Sequence, residues 1–406
     1  MNKSEFFVQK IMDKTHVLRF IPENLGFLRE HRSIESGNKN LKTDYLFDLI
    51  HTFVINYHFN GHDTLNLCAD IVKEKYGGYY KAYISYLEQV GFIDMISNYR
   101  VGYKAKTYAL TSDVSKGHCI RVKCTDNVYM KKWRDYKLSH MDEPSGYQKE
   151  LDPVRKSLIE DLYFIKLDFE KAARLLNNYY DIGCLRLSQY RKNQYSIESI
   201  ADESFFWSFD KFGRMHTNFT VLKKNIRSNC LTIHGEQIEE LDIPNAQPLF
   251  LAIILKESGF SDSDELDRFV NAVRKGEFYE DFMNEADITR NDAKKLIFKV
   301  FFGKSIHCWH NNIFKKIYPK IYRWISEYKY KINDYRALSW ELQKIESTLM
   351  FDNIVKDIKK EDPKTVLFTV HDSVYFQKSN LAMIQPIFTN HVENLWHSQF
   401  KQELYL

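Results

Sequence analysis

The stretch FTVHDSVYF, residues 368–376, carries His371, Asp372 and Ser373 inside an otherwise apolar run. A short run that is rich in aromatic and β-branched residues predicts a buried strand. A carboxylate in a buried strand costs free energy unless a partner compensates its charge. The fold must therefore supply a partner for Asp372, and this requirement constrains the chain more than any other feature.

Composition sets wide bounds on the fold and the partners. A length of 406 residues predicts two or three domains. Hydrophobic residues make up 44% and aromatic residues 15% of the chain, which supports large cores and supplies flat rings that can stack on bases. The net charge is only +4, so binding of nucleic acid would require a local basic surface.

The cysteine pattern predicts reduced thiols in a cytoplasmic protein. The six cysteines include no C-x-x-C pair. The first residues lack the apolar core of a signal peptide, and no run of 18 apolar residues predicts a membrane span. His307, Cys308 and His310 are too crowded for a four-ligand zinc site and have no distant partner pair.

Residues 44–110 predict three helices followed by a hairpin. We expect the second helix to cover residues 63–77. The hairpin carries the cations Arg100, Lys104 and Lys106 at its tip. This order resembles a winged helix that docks on DNA. A small α+β module with a solvated hairpin, or a protein-binding winged helix, explains the same pattern.

The segment TRNDAKKLIFKVFFGK, residues 289–304, predicts a helix that begins after Thr289 and ends at Gly303. Arg290, Lys294, Phe298 and Phe302 recur every four residues. They form one stripe about 18 Å long, with cations in the first half and rings in the second.

A nucleoside triphosphate has the same polarity as this stripe, with phosphates at one end and a flat base at the other. The positive potential of the helix N-terminus adds to the phosphate end. The stripe therefore predicts a nucleotide-binding helix. The alternative is an amphipathic helix whose Phe residues are core and whose cations are solvated.

The spacing in this helix resembles the nucleotide-binding finger helix of family-A DNA polymerases, and single-subunit phage-type RNA polymerases share part of it. The matching residues are Arg290, Ala293, Lys294, Phe298, Phe302 and Gly303. The family usually has Tyr where this chain has Phe302.

Two further segments resemble the family's palm. In EELDIPNAQPLFLA, residues 239–252, Asp242 matches the metal-binding Asp of motif A, and Gln247 stands where most DNA polymerases carry the Glu that screens the sugar 2′ position. The Val-His-Asp at 370–372 resembles motif C, in which Asp372 is the second metal ligand. Ser373 is closer to the RNA polymerases, since DNA polymerase I types usually have Glu there.

Other matches are single residues. Arg214, in GRMHT, matches an Arg that touches the primer–template duplex. Gln343 matches a Gln that contacts the minor groove, and Tyr279 falls where the family has a His or Tyr near the triphosphate. The resemblance covers roughly residues 210–406.

The resemblance implies a two-metal site. Asp242, Asp372 and the carbonyl of Ile243 would hold two Mg²⁺ ions, for which Mn²⁺ can substitute. Arg290 and Lys294 would clamp the phosphates, and Lys294 would donate the proton to departing pyrophosphate.

The rings would lie at the base end of the nucleotide. Phe298 would pack on the incoming nucleotide, Phe302 and Gly303 would border the templating position, and His371 would face the primer terminus. For His371, a structural strand histidine is the alternative.

The expected fold is α+β, a right-hand polymerase with helical thumb and fingers and a small antiparallel palm sheet, preceded by a winged-helix-like domain. The expected domains are a winged helix at 1–115, a linker and thumb-like region at 116–210, and a palm at 211–406 with fingers inserted at about 255–335.

The expected activity is that of a monomeric minimal DNA polymerase of a plasmid, phage or mobile element, acting on primer–template DNA and nucleoside triphosphates. Two alternatives stand beside it. One is primase or phage-type RNA polymerase activity; the other is a non-catalytic DNA-binding replication initiator with a decayed palm.

Overall fold

A computed structural model describes residues 3–36, 39–58, 62–100, 105–111, 119–139, 152–305 and 309–400. The fold is mixed α+β, with many helices and small sheets. The chain divides into two compact units. The first comprises Met1–Pro144, Lys166–Phe206 and Val221–Leu231; the second comprises Ser145–Ile165, Trp207–Thr220 and Thr232–Leu406. Residues 116–210, expected to form a linker and thumb-like region, are thus divided between the two units.

The helices are named here in chain order. They are α1 (Lys3–Asp13), α2 (Thr43–His58), α3 (Ala69–Tyr76), α4 (Tyr80–Gln89), α5 (Asn127–Ser139), α6 (Pro153–Asp161), α7 (Phe169–Asp181), α8 (Leu187–Ala201), α9 (Asn218–Val221), α10 (Lys224–Cys230), α11 (Ala246–Glu257), α12 (Ser263–Lys275), α13 (Phe278–Ala286), α14 (Arg290–Phe302), α15 (Trp309–Ile317), α16 (Pro319–Ile332), α17 (Ala337–Ser347), α18 (Lys356–Glu361) and α19 (Leu381–Phe400). Between α17 and α18, residues Thr348–Val355 form a π-helical stretch. No helix of the described ranges is long and apolar enough to span a bilayer.

The strands are short and their described pairings are antiparallel. They are β1 (Val17–Pro22), β2 (Ser33–Ser36), β3 (Lys39–Lys42), β4 (Thr64–Leu67), β5 (Ile93–Ser97), β6 (Lys106–Leu110), β7 (Cys119–Cys124), β8 (Ile165–Leu167), β9 (Trp207–Phe209), β10 (Met215–Thr217), β11 (Leu231–Ile233), β12 (Glu236–Asp242), β13 (Phe368–Val370) and β14 (Ser373–Gln377). The largest sheet has the order β13-β14-β12-β11-β8, and its first three strands lie wholly in the second unit.

The first unit contains the three helices and the hairpin expected at residues 44–110, with one correction. Residues 63–77, predicted as one helix, form strand β4 and then the shorter helix α3. Thr64, Leu65, Asn66 and Leu67 alternate between exposed and half-buried positions, and Thr and Asn are poor helix formers. Strand β4 pairs with β6, which gives a three-stranded sheet of order β4-β6-β5.

The second unit surrounds its sheet with apolar helices. Helix α11 is buried along most of its length, from Leu249 to Leu255, which explains why its sequence shows little amphipathic pattern. The hairpin strands β13 and β14 are buried as well. This packing fixes the end of the sheet at which the acidic residues lie.

Candidate active site

The stretch 368–376 is a hairpin, and the expectation of one continuous buried strand was wrong. Strand β13 pairs with β14 so that Val370 lies opposite Ser373. His371 and Asp372 form the two-residue turn, and His371 adopts a positive φ of 55°. The apolar flanks stay buried while His371 is exposed and Asp372 is only half-buried. The turn therefore lets the carboxylate leave the sheet, and this relieves the cost of burying its charge.

The second acid of the predicted pair lies beside this turn. Asp242 is the last residue of β12 and is the Cα partner of Ser373. The amide N–H of Ile243 donates to the carbonyl oxygen of Asp372 over 3.1 Å. Asp242 is exposed. Two acids that are 130 positions apart in the chain therefore meet at one end of two paired strands.

Helix α14 has the predicted bounds. The Thr289 hydroxyl accepts from the Asp292 amide over 3.2 Å and caps the first turn. Gly303 follows the last turn, and a Cβ atom there would lie 2.3 Å from the carbonyl oxygen of Lys299. The close approach of the backbone thus requires glycine at the position where the sequence predicted the helix to end.

The stripe on α14 is its outer face. The buried residues of this helix lie on other positions: Ala293, Leu296, Ile297, Val300 and Phe301. Phe298 remains 47% exposed, and its ring stacks on that of Phe302 with centroids 5.1 Å apart. The alternative in which Phe298 is a core residue is therefore wrong, and Phe301 takes that role. Two large rings stay available to a flat ligand.

Tyr279 connects the cations of α14 to the acidic end of the sheet. Its buried ring, on α13, has the guanidinium of Arg290 5.4 Å and the ammonium of Lys294 5.7 Å from its centroid. Burial raises the pKa of Tyr279 to about 12, Arg290 opposes this shift and the Asp372 carboxylate adds to it. Tyr279 is thus a ring that two cations of α14 approach and whose ionisation the Asp372 charge opposes.

A buried carboxylate that the sequence analysis missed lies next to these groups. Glu346, on α17, is 2% exposed and accepts from Nε2 of Gln247 over 2.9 Å. Nη1 of Arg214 lies 3.8 Å from Oε1 of Glu346, and Nε of Arg214 donates to Asp210 over 3.1 Å. Glu346 therefore holds together Gln247 and Arg214, two residues that the sequence had singled out separately.

The electrostatics of Glu346 follow from this position. Burial raises its pKa to about 7, Arg214 opposes the shift, and the charge of Asp372 adds to it. The sequence did carry a signal: Glu346 falls four residues after Leu342 and eight after Leu338, on the apolar face of α17. An acid on an apolar face predicts a paired buried charge.

His216 extends this polar group toward the turn. Its Nε2 lies 3.3 Å from Oδ2 of Asp210, and its ring centroid is 6.2 Å from that of His371. Burial favours the protonated form of Asp210, but His216 and Arg214 stabilise its charged form more strongly. The pKa of Asp210 is therefore lowered to about 2. Asp210 and His216 were not predicted, because no spacing in the sequence relates them to residue 371.

The remaining predicted residues lie elsewhere. Gln343 is half-buried on α17, one turn before Glu346. Arg100 and Lys106 are exposed in the first unit, and Lys104 lies outside the described residues. The predicted DNA contacts thus fall in both units, and the nucleotide-binding residues all fall in the second.

Asp242 and Asp372 supply two carboxylates at the turn, and the backbone of Ile243, the third ligand that the resemblance implies, lies beside them. Within the described ranges, no three His, Cys, Asp or Glu side chains gather into a metal-binding group. This donor set fits Mg²⁺, which usually takes one or two carboxylates and completes its shell with water and substrate phosphates. It does not fit a structural zinc site, which requires four nitrogen or sulfur ligands.

No family model matches the chain, and the curated proteins include none that is significantly similar to it.

Proposed function

We propose that the chain catalyses template-directed nucleotidyl transfer, as a minimal DNA-dependent DNA polymerase of a plasmid, phage or other mobile element. One observation carries the proposal. Asp242 and Asp372 meet at one end of the sheet, and in the same unit the guanidinium of Arg290 and the ammonium of Lys294 both lie over the ring of Tyr279. A site of this kind binds a triphosphate between metal-holding acids and fixed cations.

The triphosphate end of the site consists of acids and cations. Asp242, Asp372 and the Ile243 carbonyl would hold the metal. Two bound Mg²⁺ ions would supply positive charge that lowers the pKa of a primer 3′-hydroxyl and neutralises the triphosphate. Arg290 and Lys294 orient the β and γ phosphates, and Lys294 gives a proton to the departing pyrophosphate as the 3′-oxygen takes the α phosphate.

The base end of the site consists of aromatic rings. The exposed ring of Phe298, stacked on the half-buried ring of Phe302, provides a flat surface for the incoming base and sugar. Gly303 permits close approach at the templating position. Gln247, which donates to Glu346, stands in place of the Glu with which most DNA polymerases screen the sugar 2′ position, and this replacement weakens the usual barrier to ribonucleotides.

The first unit supports a DNA-docking role. The order α2, β4, α3, α4, β5, β6, with a sheet of order β4-β6-β5, resembles that of a winged helix. Arg100 and Lys106 are exposed on its hairpin. We propose that this unit holds duplex DNA while the second unit, a right-hand palm and fingers, performs the synthesis.

Primer extension on a DNA template tests the proposal. Asp242→Ala and Asp372→Ala should each lower the rate at least about a hundredfold, because removing a metal ligand forfeits several kcal/mol of transition-state stabilisation. Glu239→Ala is the matched control, since Glu239 lies on the same strand three residues before Asp242, and it should keep the wild-type rate.

Three outcomes of these experiments would each contradict a part of the proposal. Full synthesis after both Asp changes would remove the site assignment. Incorporation of ribonucleotides alone, in parallel reactions with each nucleotide set, would replace DNA synthesis by primase or RNA polymerase activity. A wild-type protein that binds DNA but incorporates nothing with Mg²⁺ or Mn²⁺ would be an initiator.

A further inference from the structure

Trp340, near the start of α17, lies between cations from two segments of the chain. The ammonium of Lys211 is 3.9 Å from the Trp340 ring centroid, and the guanidinium of Arg336 is 5.3 Å from it. The ring of Phe212 lies 6.0 Å from the Trp340 ring at an angle of 30°, with Lys211 also 4.9 Å from its centroid. Rings and cations thus alternate across this surface.

Tyr335 continues the same surface toward α14. Its ring is 41% exposed, and its centroid lies 5.6 Å from the ammonium of Lys304 and 5.8 Å from the guanidinium of Arg336. Lys304 directly follows Gly303 at the end of α14. We call this surface the Trp340 patch. Its members are Lys211, Phe212, Lys304, Tyr335, Arg336 and Trp340.

The patch is basic. Lys211, Lys304 and Arg336 carry three positive charges, and Asp334 is the one acid paired with them among the described residues. Asp334 accepts two hydrogen bonds from the guanidinium of Arg336, of 3.0 and 2.8 Å, and one from its backbone amide, of 2.8 Å. One acid thus stands against three cations in the patch, which leaves a surplus of positive charge, and Lys211 and Arg336 are held against the same indole ring. Like charges held together favour an anionic ligand.

The simpler explanation is that the cations cover the rings and bind nothing, because exposed cation–π pairs are themselves favourable. That explanation accounts for a single pair, such as Lys223 over Tyr179 at 4.5 Å in the first unit. It does not explain why three chain segments bring three cations and three rings together. Alternating cations and rings are the pattern that binds single-stranded nucleic acid, whose phosphates pair with the cations while its unpaired bases stack on the rings.

We propose that the Trp340 patch binds a single strand, and that this strand is the unpaired template ahead of the templating base. The identity of the strand rests on the proposed function. There, Gly303 borders the templating position and Arg214 touches the duplex. Lys304 adjoins Gly303, and Lys211 precedes Arg214 by three residues. The patch therefore adjoins two residues that the template passes.

A binding experiment tests the surface. Fluorescence anisotropy measures the affinity of the full-length protein for a labelled 20-nucleotide single strand, without metal or nucleotide. Tyr335→Ala and Trp340→Leu should each raise the Kd at least about fivefold, which is the lower range for one stacked base. Lys211→Gln combined with Arg336→Gln should reduce the slope of log affinity against log salt by about 0.7 per cation.

The controls separate this surface from a general effect on folding or charge. Tyr179→Ala removes the ring of the isolated Lys223 pair and should bind the strand as the wild type does. A blunt duplex of the same sequence should bind the patch variants with unchanged affinity. Wild-type affinity and salt slope in every patch variant, or an equal loss for single strand and duplex, would overturn the proposal.

The template assignment has its own readout. On primer–templates with a 15-nucleotide overhang, the Lys211→Gln, Arg336→Gln variant should need more DNA for half-maximal extension, and with a one-nucleotide overhang it should match the wild type. An equal effect on both substrates contradicts the template assignment. If extension is absent in the wild type while single-strand binding still depends on the patch, the proposed function fails and the binding surface stands.

Discussion

At the scale of single residues, the sequence predicted which acids meet but not the third carboxylate beside them. Asp372 is recognisable because it interrupts an apolar run, and Asp242 because its segment resembles motif A of the polymerases. Glu346 is equally out of place on an apolar face, yet its partners Gln247 and Arg214 lie far away in the sequence. Pairing of that kind depends on how helices pack, which local patterns do not encode.

Glu346 makes the stability of the protein depend on pH. Because burial raises its pKa from 4.5 to about 7, the folded state binds a proton more tightly than the unfolded state. Stability therefore falls as the pH rises from about 4.5 to about 7, and the full cost remains above that range. Glu346→Gln removes the charge and should raise the free energy of unfolding at pH 8 by on the order of 1–3 kcal/mol, with a smaller gain at pH 5.

Urea denaturation of both proteins in EDTA at the two pH values measures this difference. Glu239→Gln, on β12, controls for loss of a less buried acid and should change neither value by more than about 0.5 kcal/mol. An equal gain at pH 5 and pH 8 would show that packing of the new amide, and not the charge, is responsible.

At the scale of elements, the helix with clear start and stop residues was predicted best. Helix α14 begins after Thr289 and ends before Gly303 as expected. Both limits depend on local contacts, namely the cap and the close approach of the backbone at Gly303. Residues 152–180 are mostly helical, but the short strand β8 separates α6 from α7. The periodic pattern runs through this break, and pairing of β8 within the sheet overrides it.

A buried ion pair joins α6 to α18 and to the segment before β13. Nζ of Lys359 lies 2.5 Å from Oδ2 of Asp161, which also accepts from the Leu367 amide over 2.9 Å. Burial raises the pKa of Asp161 to about 6, with Lys359 opposing the shift. Lys359→Met leaves this carboxylate unpaired and should lower the free energy of unfolding by about 3–5 kcal/mol at pH 8.

The pH dependence and a double variant identify the cause of that loss. Below pH 6 the unpaired Asp161 takes up a proton, so the loss from Lys359→Met should shrink. Adding Asp161→Asn should restore part of the stability, since Asn can still accept from Leu367. Lys360→Met, at the neighbouring exposed position, should be near neutral in denaturant unfolding. A loss that is independent of pH would assign the effect to packing.

At the scale of the whole molecule, the sequence predicted a mixed α+β chain with small antiparallel sheets, and the structure confirms this. The division into units was harder to predict, because Lys166–Phe206 and Val221–Leu231 belong to the first unit although each follows a segment of the second unit in the chain. The amino-acid composition does not reveal where the chain passes from one unit to the other. A net charge of +4 likewise hides the local basic surfaces on which the proposed DNA contacts depend.

The hairpin of the first unit should then contribute to duplex binding through phosphates. Arg100→Gln combined with Lys106→Gln removes two exposed cations. If both contact phosphates, the slope of log affinity against log salt for a 25-base-pair duplex should fall by about 0.9 for each. Titrations at four KCl concentrations measure that slope, and Lys131→Gln with Lys132→Gln on α5 serves as the charge-matched control.

Because the proposed catalytic residues all lie in the second unit, the rate of extension at saturating primer–template should stay unchanged. A slope equal to that of the control would place duplex binding elsewhere, and the winged-helix order of the first unit would then serve a protein partner.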